Sequence, residues 1–191
     1  LTGLDAQGVI DRNNFIGLDD LAEFRFFSNS FDTTTTAIDV VGNINFEFMG
    51  GDSGITVAAN YNKTEVDSLG TVNPIGSGRV AALEDLLPNI RGNVSWNHTQ
   101  GEFRTLLRAS YYGGWDDTGN GVNGIGAEVL IDVQVAYQYN DQLEFVAGVD
   151  NLLDTYPQEN PGALGSGQLY SESSPFGFNG GTWYLQARFT Y

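Results

Sequence analysis

Residues Thr182–Tyr191 alternate strictly. Trp183, Leu185, Ala187, Phe189 and Tyr191 fall on one side of an extended chain, and Thr182, Tyr184, Gln186, Arg188 and Thr190 on the other. Period two is the mark of a β-strand, whose successive side chains point to opposite faces. One side of this strand is apolar from end to end, so the chain has to build a sheet with one face out of water.

The alternation recurs upstream. Residues 142–150 place Leu143, Phe145, Ala147 and Val149 on one face, and 128–139 place Val129, Ile131, Val133, Val135, Tyr137 and Tyr139. Residues 102–112 contribute Phe103, Leu107, Ala109 and Tyr111, residues 89–99 Ile90, Val94 and Trp96, and residues 54–64 Ile55, Val57, Ala59 and Tyr61. Residues 36–48 add Ile38, Val40, Ile44, Phe46 and Phe48, while 23–31 is aromatic on both faces. No helical period persists. The expected fold is therefore all-β, an antiparallel up-and-down meander of about eight strands, each near double the usual length of about five to six residues.

The connections alternate too. Short turns at 49–53, 100–101 and 140–141 take turns with long polar loops at 65–88, 114–127 and 151–180, apart from a short "DTTT" at 32–35. Short turns on one rim and long loops on the other are the pattern of an outer-membrane barrel. Trp96, Phe103, Tyr137, Tyr139, Phe189 and Tyr191 gather toward the short-turn rim, Tyr61, Tyr111 and Trp183 toward the long-loop rim, with aliphatic residues between. That order predicts an aromatic girdle and a lipid bilayer as partner. The opposite face carries Arg104, Arg108, Asp132, Gln134, Glu144 and Arg188. These groups are too costly for a dry core but suit a hydrated interior.

Composition narrows the function classes. The net charge is -16, which excludes a nucleic-acid partner because phosphate contacts need a basic face. There is no cysteine, hence no disulfide and no thiolate site. No apolar run approaches the roughly 18 to 20 residues of a membrane-crossing helix, a limit that does not touch strands. The chain begins at Leu1 without methionine or leader, and the expectation is a piece of a longer protein.

Three stretches, "LPNIRGNVSWNHTQGEFRTLLRASYYGGWDD", "VDNLLDTYPQENPG" and "SPFGFNGGTWYLQARFTY", together with "FRFFSNSFDTTTTAIDVVGNINFEF", resemble the C-terminal barrel region of TonB-dependent outer-membrane receptors. The resemblance covers roughly residues 20–191. It implies part of a 22-stranded transmembrane β-barrel, with 1–22 a remnant of an extracellular loop, 23–191 the last strands, and the plug domain absent. It implies import of a scarce ligand (a metal chelate, vitamin or glycan) at the outer membrane of a Gram-negative cell. The implied partners are the missing plug and strands, and an inner-membrane energy-coupling complex reached through the plug. Leu185, Ala187, Phe189 and Tyr191 look like the signal read by the barrel assembly machinery.

Candidate chemistry is sparse, and neither catalysis nor a cofactor is expected. Asp116, Thr118, Asn120 and Gly121 occupy the first, third, fifth and sixth places of a calcium-loop pattern, but the twelfth is Ala127, with Glu128 one residue late. Asp116, Asp117 and Asn120 thus form an incomplete calcium candidate, and a flexible polar loop fits better. His98 is the one histidine, and the nearby Ser95 and Ser110 fall on the opposite face from it, so no Ser–His pair is expected. Long loops commonly carry binding, which makes Trp115, Asp116, Tyr156, Tyr170, Phe176 and Phe178 the candidate ligand-facing residues. Two other readings stay open: a fragment that self-assembles into a filament with copies of itself through open strand edges, shed from the cell, and a small closed eight-stranded barrel.

Overall fold

The computed structural model describes residues 29–70 and 74–191. The expected loop remnant 1–22 and most of the expected strand 23–31 lie outside these residues. Among them, seven strands form one antiparallel sheet in meander order: β1 (Phe31–Phe48), β2 (Gly51–Leu69), β3 (Ile90–Gln100), β4 (Phe103–Tyr112), β7 (Glu128–Asn140), β8 (Leu143–Asp150) and β9 (Thr182–Phe189). A two-stranded hairpin, β5 (Trp115–Asp117) with β6 (Val122–Ile125), is set in the connection between β4 and β7.

Two expectations about connections are corrected. "DTTT" at 32–35 is not a turn but the start of β1, where Thr34, Thr35 and Thr36 pair with Glu65, Thr64 and Lys63 of β2. Four β-branched threonines suit a pleated strand, and Thr35 Oγ1 meets Thr64 Oγ1 at 2.9 Å. The loop 65–88 is likewise shorter than expected, because β2 runs to Leu69 and Ser77–Glu84 form an eight-residue helix, α1. Two turns of helix are too few for a 3.6-residue period to register, which is why the sequence showed none.

The β1–β2 turn places Met49 and Gly50 at φ 50° and 77°. Positive φ at both central residues is the geometry that matches strand twist in a two-residue hairpin. Strand β2 consequently begins at Gly51, earlier than the alternation alone suggested, and Gly51 to Ser53 join the ladder.

Register turns the alternating segments into rows. Ile44, Ile55, Trp96, Leu107, Val133, Val149 and Trp183 are successive cross-strand neighbours from β1 to β9. This apolar face stands open: Trp183 is 78% and Leu185 87% exposed. Ala136 and Val146, by contrast, are buried on the polar face, and Trp115, Ile125 and Phe176 are buried among the loops. On the apolar side itself, Val149 and Ser53 are the buried exceptions at 7% and 4% exposed. Seven strands also have a parity: β1 and β9 run in the same direction, and no pairing joins them among the described residues.

Candidate functional site

Three surfaces carry the chemistry: the apolar face, the polar face and the loops at the ends of β2, β4 and β8. On the apolar face, Phe103, Tyr137, Phe145 and Ala187 form a second row nearer the short turns. Phe103 and Tyr137 have ring centroids 4.9 Å apart, and Tyr139 meets Phe145 edge-on at 6.4 Å. Tyr111 lies nearer the long loops, opposite Gly92 and Val129. Trp96 lies well inside β3, in the same row as Trp183. Leu185, Ala187 and Phe189 are on β9 with Tyr191 just beyond it, all exposed.

A polar cluster sits within that face. Ser53 and His98 are cross-strand partners, with Ser53 Oγ 2.8 Å from His98 Nδ1, and the Trp96 indole N–H donates to Ser53 Oγ at 3.3 Å. With its oxygen accepting from Trp96, the Ser53 hydroxyl is free to donate to Nδ1. The His98 ring stacks on Trp96 at 5.6 Å and meets Phe48 edge-on at 6.0 Å. Assigning 49–53 to a turn hid this pair from the sequence, since alternation carried back from Ile55 puts Ser53 on the same face as His98. Ser53 is 4% exposed, which shields its hydroxyl from any acyl substrate.

The polar face is bound by charge. Glu144 accepts from Arg104 Nη2 at 2.7 Å through one oxygen and from Arg188 Nη1 at 3.2 Å through the other. Arg108 and Asp132 are 4.0 Å apart, and Asp132 Oδ1 accepts the Asn151 backbone N–H at 2.9 Å, tying the loop after β8 to this face.

The loops are folded rather than loose. Asn151 and Asp154 adopt φ 55° and 54°. The Asn151 side chain exchanges two hydrogen bonds with Thr155, and Asp154 Oδ1 accepts from Gly181 N–H at 2.8 Å. Tyr156, Tyr170 and Phe178 stack in series at 5.8 and 6.3 Å. The Asp154 carboxylate beside Tyr156 raises that phenol above its ordinary value. Phe176 is buried against Tyr112 of the polar face at 5.2 Å, and Trp115 is buried in the hairpin.

The calcium candidates diverge, because neighbouring strand residues point to opposite faces. Asp116 Oδ1 accepts from the Gly124 N–H, whereas Asp117, 3% exposed, accepts from Asn160 Nδ2 at 2.9 Å. The segment Thr118–Asn120 between them and β6 is a 3-10 turn. No group of three or more acidic, histidine or cysteine side chains gathers as a metal site among the described residues. Beside the hairpin, Asp85 at the end of α1 accepts the Asp116 backbone N–H at 2.8 Å, and its carboxyl is raised by burial, then by Asp116 and Glu84.

A cleft of about 380 Å³ opens between α1 and the polar side of β2 and β3, lined by Asn60, Asn62, Thr64, Glu84, Asn89 and Arg91. These amides and the guanidinium could hydrogen-bond a polar ligand. No known protein family, curated protein or solved structure matches the chain. Among the described residues, no helix is long and apolar enough to cross a membrane, which leaves strands untouched.

Proposed function

We propose that this chain is the C-terminal barrel portion of an energy-coupled outer-membrane receptor that imports a scarce ligand. The observation that carries the reading is the continuous apolar row from Ile44 to Trp183, in which Ile44, Leu107 and Trp183 are exposed, on a sheet whose other face is ion-paired. In water that arrangement is inverted. In a bilayer it is the expected one, with lipid as the apolar cover.

The length of the two central strands β3 and β4 agrees, while β1, β2 and β7 are longer and β8 and β9, with eight residues each, are shorter. Spanning strands need about 9 to 11 tilted residues, and β3 and β4 have 11 and 10. Parity agrees too. A closed antiparallel wall needs an odd number of strands between β9 and β1, which a 22-stranded barrel provides. Folded loops at one end, with the aromatic series of Tyr156, Tyr170 and Phe178 and the amide-lined cleft under α1, would receive the ligand outside. The plug and the coupling complex would act on it below.

The test is quenching of tryptophan fluorescence in vesicles of brominated phosphatidylcholine. Trp96 and Trp183, studied with Trp115→Phe, should be quenched strongly. Trp115, studied with the other two replaced by Phe, should be spared. Equal quenching of all three, or none, would sink the reading.

A further inference from the structure

We propose that the free edge of β1 is self-complementary: a second copy of this chain pairs with it, antiparallel, about a dyad at Val41. The proposal concerns this 191-residue chain by itself, since in the closed barrel of the transport reading the same edge of β1 pairs with a neighbouring strand.

Among the described residues nothing pairs with β1 on the side away from β2. The strand is 18 residues long, rich in β-branched residues and without the Lys, Arg or Pro that commonly guard an edge. Strand β9 of another copy fits poorly. In a sheet of common orientation β1 and β9 run parallel, and β9, with eight residues, would leave most of the longer edge open. A second β1 supplies an antiparallel partner of equal length.

Charge and face select the register. Directly opposed residues share a face, so the apolar side stays continuous only when the dyad passes through a residue. A dyad at Asp39 would oppose that carboxylate to itself, and one at Asn43 would set Asp39 against Glu47. One at Val40 sets Asp39 against Val41 and Asp32 against Phe48. One at Gly42 shortens the ladder and leaves no side chain at its centre. At Val41, Asp39 faces Asn43, Glu47 faces Thr35 and Ile38 faces Ile44. Asp39 Oδ1 is held by Asn60 Nδ2 at 2.7 Å, which leaves Oδ2 for the partner's Asn43. Val41 itself is 76% exposed.

The chain has no cysteine, so single-cysteine variants report contacts without background. In detergent micelles, the full chain should sediment as a dimer. Oxidation should cross-link Val41→Cys but not Ala37→Cys, and a mixture of Ala37→Cys with Asn45→Cys should cross-link. Because the net charge of -16 repels like copies, the dimer fraction should rise with salt. A monomeric mass, no cross-link at Val41→Cys, or a self-cross-link at Gln186→Cys in its place would overturn the proposal. Lipid quenching of Trp183 is unaffected by any of these results, so the two readings fail separately.

Discussion

Tyr184 Oη lies 3.2 Å from Gln134 Oε1, although their strands are separated by β8. The phenol reaches because Gly148 stands between them, and a Cβ there would fall 2.3 Å from the Tyr184 ring. A bare backbone in the middle strand lets an aromatic from the edge lie across it. Gly148→Ala should therefore turn the ring away and cost about 1 to 3 kcal/mol, read as a lower unfolding midpoint in detergent. A wild-type midpoint would refute the close fit.

The same device operates between Arg104 and Glu144. Arg104 pairs with Ala136 in register, and over that small buried residue the guanidinium reaches β8. One carboxylate serves two cations, whose side chains are 47% and 49% exposed. Glu144→Ala should cost about 1 to 2 kcal/mol, discounted for the solvent around the arginines. Glu144→Gln should cost less. Urea titration of both variants checks the order, and equal losses would argue against a charge effect.

Ser53 joins two groups that have few alternatives on an apolar face. Ser53→Ala should leave the Trp96 N–H and His98 Nδ1 unpaired, a loss of about 1 to 2 kcal/mol. Thermal unfolding and the emission maximum of Trp96, isolated by replacing Trp115 and Trp183 with Phe, should both shift. An unchanged spectrum would show that the indole does not depend on Ser53.

Asn160 is 1% exposed, donates to Asp117 and accepts the Gly162 N–H at 2.9 Å. Removing it strips a donor from a buried carboxylate and releases the loop from the hairpin. Asn160→Ala should cost about 1 to 3 kcal/mol. Amide exchange should accelerate in β6 and at Gly162 while β3 and β4 stay protected, so uniform acceleration would contradict a local role.

Asp85 carries a pH dependence of known sign. Its pKa is raised in the fold, so the folded form holds the proton more tightly than the unfolded chain. The stabilisation is full below the ordinary value of 3.8 and is lost as pH rises through the raised one. The Asp116 amide, which donates to the Asp85 carbonyl, should be better protected in mild acid than at neutral pH once intrinsic exchange is corrected. Asp85→Asn should abolish that difference, and a difference that survives it would assign the effect elsewhere.

Alternation is local information, and it was reliable where strands are long. The faces of Leu143–Val149, Val129–Val135 and Trp183–Phe189 follow from side-chain period alone, and the short turns dictate the antiparallel pairs β1–β2, β3–β4 and β7–β8, while the pairs across the long loops are set by the fold. Alternation failed at the ends of elements. Asp32 to Thr35 read as a turn because a run of one residue type has no period, yet pairing with β2 makes them strand. The helix Ser77–Glu84 and the hairpin Trp115–Ile125 are too short to print a period.

Which side chains meet across strands depended on register, which no single segment encodes. The sequence by itself determined that this chain is a sheet with one apolar and one charged face, because strand geometry sends alternate residues to opposite sides wherever the strand lies. Only the tertiary structure decided that Ser53 finds His98, that Glu144 lies between two arginines, and that Asp117 is buried against Asn160 while Asp116 turns away. Those contacts depend on hydrogen-bonded neighbours far apart in the chain, where a shift of one residue would exchange every partner and every face.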